Sequence, residues 1–191
     1  MSRQLQTEYF KTSEEYLASE RIAEQKHEYL AGVIYAMAGA TADHQRIAGN
    51  IYRHLGNQLS GKRCEVFSSD MKVRIRRGGG SFFYYPDVTV DCSNPAGDSH
   101  FVDEPRMIVE VLSRETGRID RGEKLRNYQE ISALEVYALV DQFHIAVTVY
   151  RRSDGNWSME FFAEKEDVLQ LPEIGCALPM TAIYERTHLV R

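Results

Sequence analysis

Apolar residues change their spacing twice along the chain. After Asp43, the residues Ile47, Ile51, Leu55 and Leu59 recur every four positions, which stacks them on one face of a helix. The spacing predicts a helix over 43–60, capped by Asp43 and stopped at Gly61, where a helix end favours glycine. Upstream, Thr12 followed by Glu15 has capping-box spacing, and "SEEYLASERIAEQK" has the charge and leucine content of a short amphipathic helix. "HEYLAGVIYAMAG" predicts a hairpin turning at Ala31 and Gly32.

The middle third changes to strand periodicity. "EVFSS", "MKVRIR" and "FFYYPDVTVD" are rich in β-branched and aromatic residues, and "RRGGGS" forms the turn between the last two. Strict alternation in Val73, Arg74, Ile75, Arg76 places both arginines on one face. "RMIVEVL" is apolar on both faces, as a central strand is. "IDRGEKLRNYQEI" returns to helical spacing with Asp120 and Lys124 at i and i+4, and "EVYALVD" is a second buried strand. Met107 to Val140 therefore forms a strand, helix, strand crossover, so part of the sheet is parallel. "AVTVYRRSDGNWSMEFFA" reads as a hairpin through Asp154 and Gly155, and "DVLQLPEIGCALPMTAIY" as a strand with a short final helix. No repeat or linker divides the chain, so 1–191 is expected to be one domain: helix and hairpin 12–40, helix 43–60, core 64–141, and C-terminal hairpin and strand 143–191.

Composition narrows the class. The 191 residues, 43% hydrophobic and 27% charged, are enough for a proper core and ordinary for a globular protein. No apolar run approaches the roughly 18 residues of a membrane span, and "MSRQLQTEYF" lacks the apolar centre of a secretory signal, so a cytoplasmic location is expected. Cys64, Cys92 and Cys176 are widely spaced with no CxxC, which points to reduced thiols in the core rather than a disulfide or zinc framework. His27, His54, His100, His144 and His188 have no ligand spacing either. A formal net charge of −5 argues against a protein that coats nucleic acid non-specifically, though not against a local basic groove.

One charge does not fit the pattern. Glu110 stands in the middle of "RMIVEVL", where a buried carboxylate needs a cation, a proton or a metal. In "YYPDVTV" Asp87 follows a proline at a strand start, where a side chain can be aimed out of the ladder. Carboxylates on neighbouring strands repel unless a cation lies between them, and a hard divalent ion supplies that charge through oxygen ligands.

In order along the chain, "HEYLAGVIYAMAGATADHQRI", "PDVTV", "MIVEVLSRET", "DRGEKLRNYQEI" and "EVYALVD" resemble the Uma-two family of restriction-endonuclease-like proteins, within the PD-(D/E)XK nuclease superfamily. The resemblance runs from about Glu14 to about Tyr184. It implies an α/β (α+β) fold, a restriction-endonuclease-like mixed β-sheet flanked by helices with additional β-hairpins. It also implies a metal-dependent nuclease that hydrolyses phosphodiester bonds, with DNA as the expected substrate. In the wider superfamily a lysine stands two positions after the glutamate. Here Leu112 occupies that position, and the resemblance places the lysine on the following helix, at Lys124, with Lys72 the lesser alternative. Asp87, Glu110 and the backbone carbonyl of Val111 would hold Mg²⁺ or Mn²⁺, and Lys124 would orient and help deprotonate water. Glu28 and His44 match further family positions.

Arg74, Arg76, Arg114, Arg118 and Arg121 are candidates for gripping phosphates. Each residue also has a structural explanation. Asp87 alone would cap a turn, Lys124 would pair with Asp120 or Glu123 on a solvated helix face, and the arginines would be solvated surface. A nuclease-fold binding module without catalytic power and a hydrolase of another phosphate ester remain alternative functions. The apolar C-terminal hairpin suits a homodimer.

Overall fold

The computed structural model describes residues 11–190. The first helix, α1 (Ser13–Glu20), starts on the expected capping box, with Thr12 and Glu15 each holding the other's backbone N–H. It stops well before Lys26, because beyond Tyr16 it has little to bury; Ile22 is 87% exposed. Strands β1 (His27–Leu30) and β2 (Val33–Ala36) form the expected hairpin, with Ala31 and Gly32 at positive φ.

Helix α2 (Ala42–Leu59) buries Ile47, Ile51, Leu55 and Leu59. Its cap is Thr41 rather than Asp43: the Thr41 hydroxyl accepts the backbone N–H of His44. Asp43 lies inside the first turn and bonds Arg46 and His188 instead. Gly61 has φ +73 just past the end, as the helix stop requires.

Among the described residues, nine of the remaining strands form two mixed sheets with the first hairpin, and the last two pair only with each other. In one, β2, β1, β5 (Gly80–Tyr84), β4 (Lys72–Arg77) and β7 (Phe101–Val102) lie side by side. In the second the order is β11 (Asn156–Phe162), β10 (Val147–Ser153), β9 (Val136–Asp141), β8 (Pro105–Leu112), β6 (Val88–Asp91) and β3 (Glu65–Ser68). "FFYYPDVTVD" thus breaks at Tyr85 and Pro86 and passes from one sheet to the other. The β8–β9 pair is parallel, as the crossover predicts, and β8 lies inside its sheet. Its crossover helix is one run from Gly117 to Tyr128: α3 (Gly117–Ile119), a π-helical turn (Asp120–Lys124) and α4 (Leu125–Tyr128). The C-terminal segment holds two strands rather than one, β12 (Val168–Leu171) and β13 (Cys176–Pro179), before α5 (Met180–Ile183). Gly175, at φ +63, lies in the turn between them.

The second sheet is covered on both faces. Val109, Val111, Ala138 and Val140 pack against α2, α5 and the β12–β13 hairpin. On the other face, Ile108, Leu112, Tyr137 and Leu139 pack against Tyr128, Leu125 and the inner residues Val73, Ile75 and Tyr84 of the first sheet.

One expectation about the cysteines is overturned. Cys64 and Cys92 form a disulfide, with Cα atoms 4.0 Å apart. Antiparallel pairing of β3 with β6 sets Glu65 opposite Asp91, so the residues just outside that pair meet. Their sequence separation of 28 conceals this. Cys176 alone matches the expectation, as a buried free thiol.

Candidate active site

Register on β6 and β8 decides where the carboxylates point. Val88 lies opposite Val109, which sets Asp87, one residue before β6, beside Glu110. Glu110 projects from the face opposite Val109, the side covered by the crossover helix, whereas Asp87, just outside the strand, reaches the backbone of β8 and His44 of α2. Asp87 is fixed at both oxygens: Oδ1 lies 2.8 Å from His44 Nε2, and Oδ2 accepts the Val111 backbone N–H at 2.7 Å. Proline at 86 interrupts the ladder immediately before it, which frees this side chain to reach across to β8.

The crossover helix brings the cation. Lys124 Nζ lies 2.9 Å from Glu110 Oε1, 2.9 Å from Glu28 Oε1 and 3.5 Å from Asp120 Oδ1. The pairing with Asp120 anticipated on a solvated helix face therefore exists, but in the interior: Lys124 is 5% exposed and Asp120 1%. The π-helical turn directs both side chains inward, a local widening often found at functional sites. Glu28 arrives from the first sheet; its strand neighbour Tyr29 packs outward on Tyr16 and Phe83, so Glu28 faces the second sheet. Tyr128 donates its hydroxyl to Glu110 Oε1 at 3.0 Å, and the Tyr84 ring lies 5.4 Å from the Lys124 ammonium.

Burial dominates the electrostatics. It pushes the Glu110 carboxyl well above the ordinary range; Lys124 opposes the rise, while Asp120, Asp87 and Glu28 add to it. Burial likewise raises Asp120 against the pull of Lys124 and Thr116. Burial alone would lower Lys124, yet Glu110, Glu28 and Asp120 outweigh it and hold the ammonium well above its usual value. Lys124 is thus a firmly charged ammonium surrounded by three carboxyl groups, Glu110, Glu28 and Asp120, of which burial drives Glu110 and Asp120 towards their protonated forms. Among the described residues, no group of three or more His, Cys, Asp or Glu side chains is arranged to hold a metal ion.

The anticipated residues do not all converge. Asp87, Glu110, Lys124, Glu28 and His44 come together. Arg74 and Arg76 do not: they share a face, as alternation requires, but Val73 and Ile75 take the face towards the second sheet. Arg74 is held by both oxygens of Asp103 at 2.6 and 2.7 Å and covers the Phe101 ring. Arg114, Arg118 and Arg121 are exposed just beyond Leu112 at the end of β8. Lys72 lies elsewhere, donating to the Tyr85 hydroxyl at 3.2 Å.

Sequence reasoning missed Asp120 as a site member, although its i, i+4 relation to Lys124 is plain in the sequence. It also missed Tyr128 and Gln142. The buried Gln142 amide donates to the Leu112 carbonyl at 2.8 Å and accepts from the Thr41 hydroxyl at 2.6 Å. It thereby ties the strand bearing Glu110 to the cap of the helix bearing His44.

The family model of Uma2, described as "Putative restriction endonuclease", matches residues 13–181. The chain belongs to the Uma2 family. Two proteins of Synechocystis sp. (strain ATCC 27184 / PCC 6803 / Kazusa) are similar to this Uma2 chain. "Uncharacterized protein slr1290" is 35% identical over 173 residues, covering 90% of each chain. "Uncharacterized protein sll1609" is 33% identical over 162 residues, covering 82% of this chain and 90% of its own. A crystal structure of a "putative nuclease belonging to DUF820" from Anabaena variabilis superposes with a TM-score of 0.73 at 18% identity, over 91% of this chain and 97% of that one. This likeness shows the restriction-endonuclease-like fold.

Proposed function

We propose that this Uma2 protein is a metal-dependent nuclease that hydrolyses phosphodiester bonds, with DNA as substrate. The observation that carries the reading is the cluster itself: Glu28, Glu110 and Asp120 around the single ammonium of Lys124, with Asp87 alongside. That gathering of buried carboxyls, more than one ammonium can pair, suits a divalent cation, whose charge would favour their ionised forms.

The residues fit Mg²⁺ or Mn²⁺. Asp87 stands next to Glu110 across the β6–β8 pairing, near enough that its charge adds to the rise of the Glu110 carboxyl. Because the N–H and C=O of a strand residue point to the same side, the Val111 N–H that reaches Asp87 turns the Val111 carbonyl the same way. Two carboxylates and a main-chain carbonyl are oxygen ligands of the kind a hard cation takes while keeping several waters. When bound, the ion would polarise the phosphate and lower the pKa of a coordinated water. Within the chain, His44 orients Asp87, Tyr128 orients Glu110, and Lys124 holds the attacking water and receives negative charge. Glu28 and Asp120 keep the ammonium in place. Arg114, Arg118 and Arg121 stand where phosphates of a bound strand can reach them.

A homodimer and a cytoplasmic setting belong to the same proposal. The seven-residue β11 ends its sheet, and Met159 on it is 64% exposed; an open edge of this kind pairs readily with a second copy. No helix among the described residues is long and apolar enough to cross a membrane.

The test is incubation of purified protein with double-stranded DNA, single-stranded DNA and RNA, each with Mg²⁺, Mn²⁺ or chelator. An Asp87→Asn, Glu110→Gln double variant is the control. Metal-dependent cleavage lost in the double variant supports the reading, and equal cleavage by both proteins overturns it.

A further inference from the structure

Pairing across the second sheet draws a single row of side chains away from the carboxylates. Glu110 is paired with Leu139, Leu139 with Thr148, and Thr148 with Phe161. Paired residues share a face, so all four project towards the side of the crossover helix. Glu110 is covered by that helix; Phe161, at the far end of the row, is 64% exposed. At about 4.8 Å per strand, Phe161 stands about 14 Å from Glu110.

A cavity of about 370 Å³ opens over the outer part of this row, lined by Leu112, Leu139, Thr148, Phe161, Arg121 and Asp141 among others. Leu112 and Leu139 form an apolar floor, and Phe161 offers a flat ring. Arg121 and Asp141, 3.9 Å apart, place a donor fork and an acceptor at one wall. Arg121 lies one turn before Lys124, so the cavity and the proposed reaction centre flank the same helix. Phe143, next in the chain to the lining residue His144, has its ring covered by Arg114 at 5.3 Å.

The geometry points to a nucleobase subsite: this cavity receives an unpaired base of the nucleic-acid strand whose phosphate lies at Asp87 and Glu110, with the base stacked on Phe161. The subsite rests on the nuclease reading and narrows it to substrates with a single-stranded stretch beside the scissile bond. Base stacking on an aromatic ring beside a guanidinium is how sequence-tolerant proteins hold single strands. A phosphate alone would meet the Asp141 carboxylate, whereas a base can donate an amino hydrogen to it.

The full chain, with chelator to prevent cleavage, is titrated against two fluorescent oligonucleotides of equal length. One is an ordinary single-stranded DNA, and the other is abasic throughout, with an intact sugar-phosphate backbone. Wild-type protein should bind the ordinary strand more tightly. Phe161→Ala should weaken that binding by about 5- to 150-fold and leave the abasic strand unaffected, and Phe161→Trp should retain the wild-type preference. No base preference in the wild type, or equal effects of Phe161→Ala on the two strands, overturns the subsite. A dimer lost on Phe161→Ala by light scattering also overturns it and assigns the ring to a subunit interface. Base preference lost on Phe161→Ala in a protein that cleaves nothing keeps the subsite and removes the nuclease reading.

Discussion

Replacing Lys124 with methionine keeps most of the stem volume and removes the ammonium, separating charge from packing. The ammonium is buried and contacts Glu110 and Glu28 at 2.9 Å and Asp120 at 3.5 Å. Removing one partner of a buried ionic group costs about 3–5 kcal/mol, because the remaining charges stay without compensation. The cost should depend on pH in a defined direction. Burial already raises Glu110 above its reference value of 4.5, and loss of Lys124 raises it further. A carboxyl raised on folding binds more protons in the native state, so stability is greatest below the unfolded pKa and falls as pH rises towards the folded one. Urea unfolding should therefore show Lys124→Met close to wild type below about pH 4 and increasingly destabilised towards neutrality. In the cleavage assay the variant should lose about 10² to 10³ in rate if the ammonium positions the water and offsets developing charge. Mn²⁺ binding by calorimetry should survive. Leu112→Lys in this background should restore part of the rate, since residue 112 shares the face of Glu110 two positions along β8. Full activity in Lys124→Met, or a destabilisation independent of pH, would refute the reasoning.

Reducing Cys64–Cys92 opens a link of sequence separation 28 and should lower stability by about 3–4 kcal/mol on the chain-entropy account, read by urea unfolding with and without reductant; no change would mean that β3–β6 pairing alone holds that edge. Deleting Gly122 should turn the π-helical turn into ordinary α-helix and bring Asp120 and Lys124 to i, i+3, changing the direction of the lysine stem within the turn. Cleavage should then disappear although Asp87, Glu110 and Lys124 all remain, and retained cleavage would show that the turn does not set the lysine. Light scattering should show a dimer that Met159→Asp dissociates, and a monomer at every concentration would exclude pairing through β11.

Legibility in the sequence followed the range of the interactions. Helix α2 was readable because its core face repeats within one element, and the Ala31–Gly32 and Asp154–Gly155 turns because positive φ has a local residue signature. The α2 cap was misplaced by two residues because Asp43 and Thr41 both have capping side chains, and the contacts with Arg46 and His188 show that Asp43 is engaged elsewhere. Alternation showed that Arg74 and Arg76 share a face but not which face; the apolar neighbours Val73 and Ile75 take the inner one. Cys64 and Cys92 meet through a pairing that no local spacing announces. Asp87 and Glu110 stood out as charges in apolar strands, whereas placing Lys124 depended on a family resemblance, since a lysine in "DRGEKLRNYQEI" is locally indistinguishable from a solvated one.

Leu112 shows what the relocated lysine changes physically. It is buried in the cluster containing Tyr128, Ile131 and Leu139, so the strand position that could carry an ammonium instead anchors the crossover helix. The helix then returns the charge: once Leu112, Leu125 and Tyr128 have packed, Lys124 has its direction set by a turn whose ends are both held. The backbone carbonyl of Asp120 takes the Tyr137 hydroxyl at 3.1 Å, and Tyr128 donates to Glu110 at 3.0 Å. A lysine on β8 would be positioned by the strand alone, but one on this helix is positioned only when helix, strand and first sheet are docked together, since Glu28 contributes from the latter. The ion cluster therefore reports on tertiary assembly. Glu28, Glu110 and Asp120 come from three separate parts of the fold, and a motion that draws the crossover helix away from β8 strips the cation from Glu110.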